Sequence, residues 1–584
     1  MRKFFVLVAA VFAMSVCLQA QDKLKGKILK LDFASGVAER GGSGMALTLK
    51  GLSSNSTVSL LSIERALEAA AADDKIAMVY IKPENFSGGI SAAEEIRRSL
   101  EKFKESGKPV VAYAVDFSGT SYYLASVADK VVMNPAGEGQ MVGLSSQIIY
   151  YKDLLDTLGV KVQLIRHGKF KSAGEPYIRN DISEANREQY ETMLGTIWRS
   201  TMSEAAASRG LTLEDMDRFA NSLVLDTAPT WKENGLVDTL MHKGEMEAYL
   251  SGLFGVDKVD YLQVVDIEKY ISKMKKGPSK NKIAVVFANG SIGDGDDVDG
   301  VKMAQTIADV RADSTVKAIV WRINSPGGAV VSSDLIRREI DEARKVKPVI
   351  ATYGSLAASG GYWISSSSDI IFTDNTTLTG SIGVFGMVPA LENAIEKVLK
   401  VNPVTVGTHA HSDMMQGMRE FTDEEREWMQ KNIDNIYEKF VGLVAESRGL
   451  ETAMVDSIAQ GRVWAGADAL NIGLADRRGT ALDAVKYAAE KVGLEKYRIV
   501  YYPDAKSGSL LSALRGKKDD DAPLVDFSEL SDNDALSFGS SSRVSALGLP
   551  TTLQVPVSAL AEARRLAGDL SRPTIQARLP FIIQ

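Results

Sequence analysis

A chain of 584 residues is longer than one hydrophobic core ordinarily organises, so two or more domains are expected. Its composition, 45% hydrophobic and 24% charged, is that of a globular protein, and a net charge of -7 supplies no domain-wide basic field for nucleic acid. The single cysteine, Cys17, excludes an intramolecular disulfide framework, and four histidines (His167, His242, His409, His411) leave little material for a zinc site or a Ser-His-Asp triad.

The N-terminus reads as a targeting segment. Arg2 and Lys3 form a positive start, Phe4 to Leu18 is apolar but for Ser15, and Gln19-Ala20-Gln21 opens the polar chain. A run of this length suits export better than a full membrane span, which needs about 20 residues. Residues 1–20 are therefore expected to be a signal peptide or an anchor, placing the rest outside the cytoplasm, periplasmic or anchored at the inner membrane.

From Lys25 onward strands and helices alternate. Strands are expected at 28–33, 76–81, 109–114 and 130–133, and helices at 58–71, 91–103 and 121–127. This rhythm argues for parallel strands joined by right-handed crossovers. It then recurs about 240 residues later. Ala318 to Ile323 matches Ile76 to Ile81, Ile336-Arg337-Arg338 matches Ile96-Arg97-Arg98, and Lys347-Pro348-Val349 matches Lys108-Pro109-Val110. Tyr362-Trp363 matches Tyr122-Tyr123, and Ser447-Arg448-Gly449-Leu450 matches Ser208-Arg209-Gly210-Leu211. The chain thus holds two copies of one fold, expected at 21–272 and 283–502, joined through the Lys/Pro/Gly/Ser-rich link Lys273 to Lys282. Residues 503–584 read as a polar linker and tail, with a short amphipathic helix at Ser558 to Leu570 and an apolar end.

Chemistry concentrates at three places. Pro348 to Tyr353 reads as a buried strand, and Gly354-Ser-Leu-Ala-Ala-Ser359-Gly-Gly-Tyr-Trp363 follows it into a helix expected from Tyr362. A serine among small residues at a strand-to-helix turn can offer its hydroxyl to a substrate that approaches the backbone closely. The same stretch also suits a plain turn ahead of a core helix. In the first copy Gly119 stands opposite Ser359, so that copy lacks the nucleophile. It carries instead Gly168-Lys169-Phe170-Lys171-Ser172-Ala173-Gly174-Glu175-Pro176, where the second copy has no lysine between Thr408 and Gln416. One half holds a serine and the other holds candidate bases. The third place, Arg322-Ile323-Asn324-Ser325-Pro326-Gly327-Gly328, follows a buried strand, and its glycines can aim backbone N–H groups at an oxyanion.

These motifs carry a family resemblance. Asn324 to Gly328, Ala357-Ala358-Ser359-Gly360-Gly361-Tyr362, Leu378-Thr379-Gly380-Ser381-Ile382-Gly383-Val384-Phe385-Gly386 and Phe170 to Pro176 resemble the signal peptide peptidase A family, peptidase family S49, in its long two-domain form. The resemblance implies an α/β fold of two tandem crotonase-like, Clp-protease-like copies. It implies Ser359 as nucleophile, Lys171 as general base and Ser381 as a serine that orients the lysine. The N–H groups of Gly327 or Gly328 and of Gly360 would form the oxyanion hole. Neither metal nor other cofactor is implied. The implied partners are peptides, chiefly cleaved signal peptides at a membrane, and further copies of the chain in a homotetramer. A crotonase-type acyl-thioester enzyme and an inactive membrane-associated scaffold are the other readings.

A Ser-Lys dyad makes a physical demand. An exposed lysine, with a pKa near 10.4, is protonated at neutral pH and cannot take a proton. Burial without a carboxylate partner favours the neutral amine. Lys171 is therefore expected to be buried, with Glu175 turned away from it. Lys169, two residues earlier, is the competing base.

Overall fold

The apolar runs that mark strands in the sequence become the centres of two parallel sheets in the computed structural model, which describes residues 23–41, 43–48, 51–274, 279–503 and 575–577. The expected export or anchor segment and the expected helix at 558–570 lie outside the described residues. Among the described residues no helix is long and apolar enough to cross a membrane.

The first sheet has the strand order Thr239–Leu240, Lys130–Met133, Val110–Ala114, Ile76–Lys82, Lys27–Asp32, Val264–Asp266, with every pairing parallel. The second, eight-stranded sheet repeats that order in its parallel strands Arg477–Arg478, Ile370–Thr373, Val349–Ala358, Val316–Ser325, Lys282–Asn289 and Arg498–Tyr502. It adds Leu378–Gly380 beside Val349–Ala358, and Leu378–Gly380 in turn pairs antiparallel with Val463–Ala465. Strands covered on both faces read as apolar runs, as Ile76 to Ile81 and Ile283 to Ala288 do. Crossover helices cover them. Leu60–Ala72 buries Leu60, Ile63, Leu67 and Ala70 at the spacing of one helical face, and Val330–Arg344 buries Ile336, Ile340 and Ala343. The architecture is thus α/β with the fold duplicated.

The compact units do not follow the repeat boundary. One gathers the described residues within Met1–Arg40, Val58–Leu144 and Trp198–Lys276; the other gathers those within Gly41–Thr57, Ser145–Ile197 and Gly277–Gln584. Residues 145–197, expected within the first copy, are grouped with those of the second. The reason is a strand pairing. Lys161–His167 runs antiparallel to Val384–Ala390 over seven residue pairs, from Lys161 opposite Ala390 to His167 opposite Val384. Gln163 adds a second tie, its Oε1 accepting from the Phe421 N–H at 2.6 Å.

The strand before Ser359 also exceeds expectation. It runs from Val349 to Ala358, because Leu356, Ala357 and Ala358 pair in parallel with Leu378–Gly380. The helix then starts at Gly360, directly after the serine.

Candidate active site

Strand, turn and helix leave Ser359 no relaxed conformation. Its φ of 56° and ψ of -116° lie where L-residues are seldom found, and the surroundings hold it there. Its N–H donates to the Gly380 carbonyl at 2.8 Å, and its carbonyl accepts from the Trp363 N–H at 2.9 Å. Gly360 and Gly361 follow because nothing larger fits. A Cβ on Gly360 would meet Ser333 Oγ at 2.7 Å and the Gly328 nitrogen at 2.9 Å, and one on Gly361 would meet the Ser325 carbonyl oxygen at 2.7 Å.

The base motif reaches the same place within the same compact unit. After the strand Lys161–His167, Gly168 takes a φ of 98° and turns the chain. The turn is pinned by the Phe170 N–H donating to the Gln460 carbonyl at 2.9 Å and by Arg166 Nη1 donating to the Lys171 carbonyl at 2.7 Å. Lys171 Nζ then lies 2.7 Å from Ser359 Oγ, 3.0 Å from Ser381 Oγ and 3.2 Å from the Ser381 carbonyl oxygen. The three side chains are 1% exposed or less. Burial brings the Lys171 amine down from 10.5 to about 7.

A neutral amine has two N–H donors and one lone pair. Two N–H groups directed at the Ser381 oxygens leave the lone pair to accept the Ser359 hydroxyl proton, so the three contacts match the valences of an unprotonated lysine. Lys169, in contrast, is solvent-exposed, with its Nζ over the Phe170 ring at 4.8 Å. Glu175 is fully buried but engaged elsewhere: it accepts from Ser183 Oγ at 2.7 Å, Asn186 Nδ2 at 3.3 Å and Arg166 Nη1 at 3.3 Å. Its charge is neutralised by Arg166 instead of bearing on the lysine.

The glycine turn needs one distinction among the expected donors. The Gly327 N–H already donates to Ser325 Oγ at 3.1 Å, with Gly327 at a φ of 99°. Gly328, whose nitrogen would lie 2.9 Å from a Cβ on Gly360, and Gly360 itself are the other expected donors. The histidines take up surface roles: His167 Nδ1 lies 2.8 Å from Asp434 Oδ1 and its ring stacks on Tyr437, while His411 Nδ1 lies 2.9 Å from Glu425 Oε1.

Sequence reasoning overlooked Gly461 and gave Gly383, part of the third motif, no role. A Cβ on Gly461 would come within 2.6 Å of Lys171 Cβ, and one on Gly383 within 3.2 Å of Lys171 Cδ. They form the wall against which the lysine stem is pressed. The repeat held a faint signal: aligning Gly473-Leu474-Ala475-Asp476 with Gly235-Leu236-Val237-Asp238 sets Gly461 opposite Leu223. Both have positive φ, 78° and 54°, but only the copy that receives the lysine has glycine there.

The model of peptidase family S49 matches the chain twice, over residues 102–256 and 341–495. Protease 4 of Salmonella typhi is 37% identical over 463 residues, which cover 76% of this chain and 74% of that protein. The chloroplastic serine protease SPPA of Arabidopsis thaliana is 32% identical over 475 residues, covering 78% of this chain and 70% of its own. Among solved structures, a ClpP1 mutant from Listeria monocytogenes overlaps 34% of this chain and 94% of its own, with a TM-score of 0.25 and 16% identity.

Proposed function

Since the chain belongs to peptidase family S49, we propose that it is a serine endopeptidase with a Ser359-Lys171 dyad, degrading cleaved signal peptides and other apolar peptides at a membrane. The observation that carries this reading is the 2.7 Å approach of Lys171 Nζ to Ser359 Oγ in full burial. Serine attacks a carbonyl only as a base removes its proton, and a desolvated lysine is such a base. As Oγ bonds to the substrate carbonyl carbon, its proton passes to Nζ. The ammonium, held by the two Ser381 oxygens, then gives that proton to the departing amine. Water repeats the sequence on the acyl-enzyme. The carbonyl oxygen, negative in between, is met by the N–H groups of Gly328 and Gly360, and each such donor is worth about 100- to 1,000-fold in kcat.

Extended peptides suit the site. The backbone of Ile575–Ala577 already lies antiparallel to Gly328–Ala329 on one side and to Phe385–Gly386 on the other. A substrate strand would use the same backbone groups. The apolar surface between 398 and 406, where Val404 and Val406 are 86% and 93% exposed, supports contact with membrane, peptide or further copies in a homotetramer. The export segment supports an extracytoplasmic location.

A fluorophosphonate probe is expected to label the chain at Ser359 alone, and a synthetic signal peptide is expected to be cleaved and to compete with the label. Mapping the label to another residue, or turnover of acyl thioesters without peptide cleavage, would overturn the reading.

Gly461→Ala should separate placement from chemistry. The added methyl pushes Lys171 away from Ser359, and a misplacement near 1 Å costs about 100-fold. Steady-state kinetics should show that loss in kcat/KM with a fold unchanged by circular dichroism. Near-parental activity would mean that the lysine does not depend on this wall.

A further inference from the structure

Away from the dyad, the second unit contains a pocket of about 500 Å³ whose lining includes Arg337, Asp341, Ser366, Ser367, Leu443 and Ser447. In the first copy the chain fills the corresponding place with one of its own side chains. Arg97, 1% exposed, donates through Nη1 to the Tyr123 carbonyl and to Ser126 Oγ, both at 2.8 Å. Its Nη2 donates to the Glu204 carbonyl at 3.0 Å and to Ser208 Oγ. Its guanidinium also faces the Tyr123 ring at 5.0 Å. The repeat register carries Arg97, Tyr123, Ser126, Glu204 and Ser208 onto Arg337, Trp363, Ser366, Leu443 and Ser447. Four of those five line the pocket.

One of the two hydroxyls is arranged alike in both copies. Ser126 Oγ donates to the Tyr123 carbonyl at 2.8 Å and Ser366 Oγ to the Trp363 carbonyl at 3.2 Å, so each keeps its lone pairs for a donor from outside. The other differs: Ser208 Oγ donates to the Glu204 carbonyl at 3.0 Å, and Ser447 Oγ to the Val444 carbonyl at 3.3 Å. Yet Arg337 does not take the seat. Its Nε and Nη2 both reach Asp334 Oδ1 at 3.3 Å, and its Nη1 reaches Asp341. In the first copy the residue opposite Asp334 is Glu94, which is held by Arg98 at 3.0 Å and leaves Arg97 free to turn inward. The second copy also replaces Val127 by Ser367. That serine is 7% exposed, lines the pocket, and its hydroxyl has no partner among the described residues. A buried hydroxyl left unsatisfied is destabilising unless something bonds to it.

We infer that this pocket binds a guanidinium group from outside the chain, on a small molecule or on an arginine side chain, in the seat that Arg97 occupies in the first copy. The pocket's cations do not oppose this, because each is paired: Arg344 Nε with Asp369 at 3.1 Å and Lys345 with Glu342 at 2.6 Å. Lys104, which the repeat register carries onto Arg344, is likewise paired in the first copy, with Asp129 at 2.9 Å. In the first copy the Glu101 and Glu204 carboxylates also stand 3.5 and 3.8 Å from Arg97 Nε. The second copy has Asp341 and Leu443 there, so hydroxyl and carbonyl acceptors carry the seat. Several such acceptors suit a fork of donors better than the compact charge of an ammonium.

Calorimetry on the full chain tests this, with methylguanidinium, methylammonium and acetyl-arginine amide as probes. Methylguanidinium is expected to bind saturably at one site, with methylammonium at least about tenfold weaker and the Ser366→Val/Ser447→Ala variant weakened by a similar factor. Acetyl-arginine amide binding as tightly as methylguanidinium supports an arginine side chain as the occupant; binding much more weakly supports a small molecule. Absence of saturable binding, equal binding of the two cations, or binding that survives both substitutions would overturn the inference. So would binding that emerges only in Arg337→Ala, since Arg337 would then be the occupant. The comparison of cations on the unaltered protein decides the matter even where the double variant does not fold.

Discussion

Ser359→Ala is expected to abolish peptide hydrolysis, lowering kcat by on the order of 10⁴-fold or more while the protein stays folded. The neighbouring hydroxyl, Ser381 Oγ, also lies within reach of Lys171 Nζ, at 3.0 Å, so the test has content. If Ser381 could replace Ser359 as nucleophile, the loss would be small. If it only orients the amine, Ser381→Ala should slow the reaction while Ser359→Ala stops it. The strained backbone at Ser359, with φ of 56°, supplies an internal control. Ser359→Gly should be as inactive as Ser359→Ala yet more stable by about 1 kcal/mol, because glycine accepts that conformation without strain. Thermal melts of the two variants measure the difference. Parental activity in either would remove Ser359 from the mechanism.

The second large effect is in pH. With the Lys171 amine brought down to about 7, the free enzyme carries its base in the active form above that pH and in the inactive form below it. kcat/KM should therefore rise about tenfold per unit on the acid side and level off above about pH 7. Lys171→Arg should be inactive throughout, since a guanidinium stays protonated. Stability follows the same group. Between about 7 and 10.5 the folded chain holds the amine neutral while the unfolded chain holds it charged, so unfolding takes up a proton. Stability therefore rises with pH across that window, by up to about 1.4 kcal/mol per unit. Lys171→Met should lose this slope and be the more stable protein at pH 6, where the parent must bury a charge. Denaturant titrations of both at pH 6 and pH 9 check the sign; a parental slope in Lys171→Met would place the titrating group elsewhere.

Much of the architecture could be read from the chain because strands buried on both faces are unbroken apolar runs, and the two copies mark one another. Ser359 and Lys171 were legible as types of residue in suitable turns, and the gap between the copies, Gly119 against Ser359, hinted that the halves differ in chemistry. What stayed hidden was tertiary. Nothing local in Lys161–His167 says that its partner is Val384–Ala390, more than 200 residues on, because antiparallel pairing between distant strands leaves no spacing signal. The residues 354–358 are too small and mixed to read as a strand, and only the neighbour Leu378–Gly380 makes them one. The engagement of the Gly327 N–H by Ser325 was equally unreadable: a glycine pair does not say which of its amides is already taken.

The strand pairing that brings residues 145–197 to the second copy also sets a clock. A chain made from its N-terminus presents Lys171 first, and Ser359 follows 188 residues later. At about 5–20 residues per second, roughly 10–40 s separate the two. Until the later strands exist, Lys161–His167 has no partner, its lysine has no apolar wall, and the amine remains an ordinary charged surface group. On the proposed mechanism, a nascent chain therefore holds no complete dyad until the strands of the second copy have followed.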